Sequence, residues 1–261
     1  MNKLKKISVF FGVISLVLFT GCKTVKEYSQ VVVDRVPAKF DFAPPTKAGI
    51  ASADMTIAIL KPSFVKGNAE YLVEPFPTMA KNMGNDFEEL LSSKGFTMRG
   101  PFVSRDEMVY NEKVNSSFIL EISIDLMPNY SATLLSHRHK LRGSILLGIP
   151  PSTYFGYTTK GNITFTGNLV LTALSPQYGE KIWKKNIALD KITFPYEGSK
   201  EWDSKPEMNQ ELSQDPLVYN TVSTELDKLY NSILTLVWRQ IDPAEMKTVT
   251  IQAKKADSRG N

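Results

Sequence analysis

Apolar residues first form a pattern at Met55-Thr56-Ile57-Ala58-Ile59-Leu60, a short, partly β-branched run closed by Lys61-Pro62. It predicts a buried first strand. From Met79 the spacing changes, and Met79, Met83, Phe87, Leu90 and Leu91 step by three or four along one helical face. Gly95 ends that helix, because glycine accepts the left-handed backbone of a helix terminus. Phe96 to Arg99 reads as a second strand closed by Gly100-Pro101. Ser104-Arg105-Asp106-Glu107 has the form of a capping box and predicts a short helix starting at Ser104. Ser117 to Asp125 alternates and then runs apolar through Phe118, Ile119, Leu120, Ile122 and Ile124, a third strand.

The second half has a different rhythm. Gly161 to Leu174 is rich in Thr, Ile, Phe, Leu and Val, and Ser175 to Gly179 separates it from Lys181 to Leu189, which predicts a β-hairpin. Thr193 to Pro216, with Pro195, Pro206 and many polar residues, reads as a long loop. Asp215-Pro216 then opens a helix from about Leu217 to Gln240, ended by Asp242-Pro243. Its stripe of Val222, Leu226, Leu229, Ile233, Leu236 and Val237 is too short for a coiled coil and predicts packing against the sheet. The fold expected is α+β with an α/β-like first half, a mixed sheet of about five strands packed against two or three helices including a long C-terminal one.

Before the first strand lies a segment of another kind. Lys3, Lys5 and Lys6 precede an apolar stretch from Ile7 to Phe19, the length of a signal h-region and too short to span a bilayer. It leads into Thr20-Gly21-Cys22, small residues before the only cysteine, where a bacterial lipoprotein is cut and acylated. Residues 1–21 are thus expected to be a signal peptide and 22–54 a tether from lipidated Cys22. Residues 55–245 would form one globular domain and 246–261 a polar, flexible tail. A diacylglyceryl group holds a membrane where a single chain binds only marginally. Lys23, in place of an Asp that favours inner-membrane retention, points to the outer membrane. With no second cysteine the mature chain forms no internal disulfide, so its fold rests on packing.

Composition supports that. The chain has 261 residues, 42% hydrophobic and 10% aromatic, a globular balance. Its net charge of +4 is largely the signal segment, which holds three lysines and no acid, so 31 − 3 = 28 basic residues face 27 acidic ones afterwards. Such a balance argues against nucleic acid as a partner.

Catalytic motifs are missing: there is no Gly-x-Ser-x-Gly, His-Glu-x-x-His, Gly-x-x-x-x-Gly-Lys or Gly-x-Gly-x-x-Gly. The expectation is a non-enzyme with no cofactor. His137 and His139 would share a strand face, but Arg138, Lys140 and Arg142 crowd them with positive charge, which opposes a metal. Asp125, at the expected end of a strand, has no identifiable carboxylate partner. Binding chemistry is better represented. Arg138, Lys140 and Arg142 would suit an acidic sugar or an anionic lipid headgroup, the alternative being a strand edge guarded by its charges. Tyr154, Phe155 and Tyr157 could stack on sugar faces, or pack back on the body.

The order of these segments resembles a family. The Thr56 to Phe64 run, the helix ending Glu88 to Phe96, the Ile119 to Ile122 strand, the Gly167 to Pro176 run with Gly179-Glu180 and the late helix occur in that order in the neuraminyllactose-binding hemagglutinin lipoproteins of Helicobacter and related bacteria. The resemblance implies an outer-membrane or flagellar-sheath lipoprotein acting as an adhesin for sialylated glycans. It also implies a sugar-binding basic stretch after the third strand, matched here in charge character by Arg138, Lys140 and Arg142. The early strand and helix order also looks like that of outer-membrane lipoprotein assembly factors, which implies a structural envelope lipoprotein that binds partner proteins.

Overall fold

A computed structural model describes residues 33–45, 54–65, 73–141 and 152–259. Cys22, the signal segment and most of the expected tether lie outside them. The chain from Asp34 onward forms one compact unit. Its strands are β1 (Thr56–Leu60), β2 (Ser63–Phe64), β3 (Thr97–Phe102), β4 (Phe118–Leu141), β5 (Ser152–Leu174) and β6 (Lys181–Glu197). Its helices are α1 (Phe76–Ser93), α2 (Tyr110–Val114), α3 (Met208–Gln214), α4 (Pro216–Gln240) and α5 (Pro243–Ser258). The sheet runs β3-β1-β4-β5-β6, with β2 added on β4. Pairing is parallel around β1 and antiparallel from β4 to β6. This is the expected mixed α+β architecture.

One face of the sheet carries the main core. α1 buries Met79, Met83, Phe87, Leu90 and Leu91, the predicted stripe, and α4 buries Val222, Leu226, Leu229, Ile233 and Val237. They close over Ile122, Ile124, Leu169 and Leu171 of the two central strands. Each large side chain so buried contributes roughly 1.5–3 kcal/mol by transfer from water. Phe76 meets Phe165 edge-on, with centroids 6.0 Å apart. The opposite face holds a smaller cluster of Ala58, Leu60, Met108, Ile119 and Leu174. α4 starts as the sequence predicts: Pro216 is in its first turn, and the Asp215 side chain accepts from the amides of Leu217 and Val218.

Several expectations are corrected. β3 continues through Gly100-Pro101 to Phe102. No helix begins at Ser104; the chain turns there, Met108 N donating to Arg105 O at 3.2 Å, because Met108 must reach the smaller cluster. The third strand does not stop at Asp125 but runs to Leu141, and β6 extends past Leu189 to Glu197. α3 occupies part of the expected loop, opened by a capping box between Glu207 and Gln210.

Both ends of the body are also better ordered than the sequence suggests. Residues 34–42, assigned to the tether, are strapped to the helices. Asn220 accepts from Val36 N at 2.8 Å and donates to Asp34 O at 3.0 Å, Asn82 donates to the carbonyls of Lys39 and Phe40, and Phe40 is buried against Tyr230. The expected flexible tail is largely α5, which buries Met246, Val249 and Ala253. The Glu245 carboxylate there accepts from Trp183 Nε1 at 2.9 Å and from Lys185 Nζ at 3.0 Å.

Candidate functional site

β4 and β5 outlast the rest of the sheet. β6 ends where Glu197 pairs with Lys160, and β1 and β2 pair with β4 no further than Ile124. Residues 134–141 and 152–159 therefore continue as a two-stranded ribbon. Further into the sheet a bulge between Phe165 and Gly167 shifts the β5–β6 register, and bulges bend the strand that carries them. Gly167 has φ 155°, and a Cβ there would lie 1.9 Å from Asp125 O, so no other residue fits.

Directly opposed residues in an antiparallel pair share a face. Arg138 pairs with Phe155 and Ser136 with Tyr157, two steps apart, so Arg138, Phe155 and Tyr157 fall on one face, the side on which Tyr130 meets α3. The Arg138 guanidinium stands 5.2 Å from the centroid of the Phe155 ring, and Phe155 is 44% exposed. Tyr157 exchanges two backbone hydrogen bonds with Trp202, at 2.9 and 2.6 Å, which brings Trp202 onto the free edge of β5. Lys200 Nζ lies 4.7 Å from the centroid of the Trp202 ring. By these pairings Phe155, Tyr157 and Trp202 fall on one face, with one cation over the Phe155 ring and another over the Trp202 ring.

Of the residues singled out from sequence, Arg138, Phe155 and Tyr157 are brought together. Lys140 takes the register position opposite Thr153, and Tyr154 the one opposite His139, one residue out of phase with Phe155 and Tyr157. Arg142 lies outside the described residues. His137 Nε2 is 3.1 Å from Thr158 Oγ1. Among the described residues no three His, Cys, Asp or Glu side chains gather as metal ligands. Asp125 is half-buried opposite Asn168.

Sequence reasoning missed Lys200 and Trp202, which lie in a stretch read as loop, and a polar cluster at the foot of the ribbon. Tyr130 and Tyr196 stack there with centroids 5.4 Å apart. Tyr130 Oη donates to Glu211 Oε1 at 2.6 Å, and Tyr196 Oη to Ser131 O at 3.2 Å. Burial raises the Glu211 carboxyl above its ordinary range, outweighing the hydrogen bond from Tyr130. Burial also pushes Tyr196 up to about 12. The Asp215 carboxylate accepts from Ser199 N and Lys200 N, at 2.5 and 2.7 Å, as well as from the start of α4. It thereby ties the turn carrying Lys200 to the helix. Gly198 closes the cluster: a Cβ there would lie 2.7 Å from Thr159 Oγ1 and 2.8 Å from Asp215 Oδ2. A groove of about 800 Å³ between Met127 to Tyr130 and Lys205 to Asn209 reaches Tyr130, while Glu211 is fully buried. The carboxyl therefore braces the ribbon and is closed off from a reactant.

No protein-family model matches the chain, and no curated protein matches it. Among solved structures, the chain is similar to one described as a neuraminyllactose-binding hemagglutinin homolog from Helicobacter pylori. The identity is 12%, the match covers 81% of this chain and 98% of that one, and the TM-score is 0.50. Lipoprotein GNA1162 from Neisseria meningitidis matches at 11% identity over 68% of this chain and 99% of that one, with a TM-score of 0.28. The hypothetical protein CT253 from Chlamydia trachomatis matches at 9% identity over 71% and 96%, with a TM-score of 0.29. The likeness to the Helicobacter pylori protein is one of fold.

Proposed function

We propose that this chain is a bacterial envelope lipoprotein, held in the outer membrane through acylated Cys22, that acts as an adhesin for sialylated or other anionic glycans. The observation that carries the reading is the face of the ribbon, where Arg138 covers Phe155 and Lys200 covers Trp202 with Tyr157 between them. Rings at strand spacing offer stacking surfaces to sugar faces, and a guanidinium can grip a carboxylate with two parallel hydrogen bonds. Lys140 and Arg142 extend the positive charge toward the ribbon end in sequence. Among the described residues no helix is long and apolar enough to cross a membrane.

The test is binding of the full chain to sialyllactose at low and high salt, beside a folded variant carrying Arg138→Ala, Lys140→Ala and Arg142→Ala. Charge-assisted hydrogen bonds of about 1.5–3 kcal/mol each predict at least a tenfold loss in the variant, and weaker wild-type binding as salt rises. Undiminished binding would remove the site. Protease access to the protein on intact cells, against a permeabilised control, tests display: access only after permeabilisation would sink the adhesin role.

A second reading is a structural envelope lipoprotein that binds other proteins. It is favoured by Val109 and Tyr110, 62% and 73% exposed at the start of the short α2, a surface unconnected with the ribbon.

A further inference from the structure

The buried carboxyl at the foot of the ribbon is short of a donor. Tyr130 Oη donates to Glu211 Oε1, but Glu211 Oε2 and Thr159 Oγ1 are buried with no hydrogen-bond partner among the described residues. Both lie against Gly198, where a Cβ would be 2.7 Å from Thr159 Oγ1 and 3.3 Å from Glu211 Oε2. Asp215 Oδ2 comes within 2.8 Å of the same point. Oxygens from β5, α3 and the start of α4 thus converge on one glycine.

The donors around this group are taken up by Asp215, which accepts from Ser199 N, Ser199 Oγ, Lys200 N and Leu217 N. Cations are engaged elsewhere: Arg35 donates to Leu212 O and Lys200 Nζ to Gln214 Oε1. Tyr196 Oη donates to Ser131 O. Among the described residues no Lys or Arg is ion-paired with Glu211 or Asp215. The charge that acts on Glu211 is that of Asp215, of the same sign. An ionised Glu211 would be a buried anion with one donor and a second carboxylate beside it, which is strongly unfavourable. A proton on Oε2 removes that charge and supplies the missing donor.

The element an ionised Glu211 would displace is defined by the same contacts. Gly198 opens the turn after β6, and that turn is held to the free edge of β5 by Gly198 N donating to Thr159 O at 2.8 Å and by the exchange between Tyr157 and Trp202. Its residues 199, 201 and 203–205 are exposed. Segments with few buried contacts open locally before the body unfolds.

We propose that Glu211 is a proton latch: protonated, it keeps the turn from Gly198 to Trp202 seated on β5, and ionised, it draws water in past Gly198 and lifts the turn, carrying Lys200 and Trp202 away from Phe155 and Tyr157. Burial favours the protonated form in the closed state, so the turn is closed in acid and loosens as pH rises. The latch needs no ligand; its effect on glycan binding rests on the function proposed above.

The test is amide hydrogen exchange of the full chain carrying Cys22→Ala, from about pH 4, where a solvated carboxyl titrates, to about pH 9, corrected for the intrinsic rate at each pH. Protection at the amides of Tyr157, Gly198 and Trp202 should fall by up to about tenfold per pH unit until the folded value of Glu211 is passed. It should stay below that of Ile187, in the middle of the β5–β6 ladder. Glu211→Gln keeps an acceptor for Tyr130 and has no proton to lose, so the fall should vanish. The same fall in Glu211→Gln would overturn the latch. If that variant does not fold, the wild type still decides: protection flat with pH, or equal to that of Ile187 throughout, would overturn it. Sialyllactose affinity over the same range separates the latch from the function. Affinity that falls together with protection supports the coupling, and affinity that holds while protection falls overturns it. A turn that titrates in a chain that binds no sialyllactose at any pH would leave the latch standing and remove the proposed function.

Discussion

The phenol of Tyr130 donates a 2.6 Å hydrogen bond to Glu211, so the strand that becomes the ribbon is fastened to α3 through a buried carboxyl. Phenylalanine at 130 would leave that oxygen with one donor fewer in a dry site. Tyr130→Phe is expected to cost about 1–3 kcal/mol in urea unfolding. A cost near zero would show that the bond does not hold the ribbon.

The same carboxyl makes stability depend on pH. Burial raises its folded value, so the folded chain binds this proton more tightly than the unfolded chain does. Its contribution is complete below about pH 4, the unfolded value, and is lost as pH rises through the raised folded value. Asp86, raised by burial beside Tyr230, acts in the same direction. Glu211→Gln keeps an acceptor for Tyr130 and removes the titration. Its thermal melts should therefore fall less steeply with pH than the wild type, by up to about 1.4 kcal/mol per pH unit, with the Asp86 share remaining. An unchanged slope would contradict the assignment.

Gly198 has no room for a side chain. Its Cβ would press on Thr159 Oγ1 and on an Asp215 carboxylate already held by backbone amides. Gly198→Ala is expected to destabilise by about 1–3 kcal/mol, the range for overpacking. It should also shift the fluorescence of Trp202, which lies four residues on. Wild-type stability and an unmoved spectrum would show that the turn relaxes freely.

Phe40 tests whether the strap belongs to the body. Its side chain is 2% exposed and meets Tyr230 at 5.4 Å, so Phe40→Ala should cost about 3–5 kcal/mol. A tether residue would cost nothing.

α5 makes an analogous case at the other end. Met246 is 2% exposed, and Met246→Ala should cost about 2–5 kcal/mol in chemical denaturation. A flexible tail predicts no change.

What the sequence disclosed follows from how strongly each segment repeats one period. β1, α1, the β5–β6 hairpin and α4 keep theirs without interruption, and their termini carry Gly95 or Asp215-Pro216. The outer half of β4 is hidden because Met127, Pro128, Asn129 and Ser131 break the alternation, and because a two-stranded ribbon leaves little to bury on either face. α3 lies among prolines that read as loop, and its capping box starts from a Glu rather than the usual Ser or Thr. α5 buries only Met246, Val249, Ala253 and Ala256 at helical spacing, between lysines and threonines. The strap depends on contacts with Asn82 and Asn220, far away in sequence, which no local pattern announces. Arg138, Phe155 and Tyr157 were legible as residue types, whereas their shared face required the register, and Lys200 and Trp202 join them only through the bridge at Tyr157.

The β4–β5 register also has a mechanical consequence. Pairing is continuous from Ile119 opposite Leu174 to Leu141 opposite Ser152, and its hydrogen bonds lie across the direction in which the ribbon projects. A pull on the far end travels along both strands into the centre of the sheet and strains the β1–β4 and β5–β6 ladders in shear, many bonds together. A load applied at right angles to the ribbon would instead peel them one by one, so resistance to tension is greatest along its length.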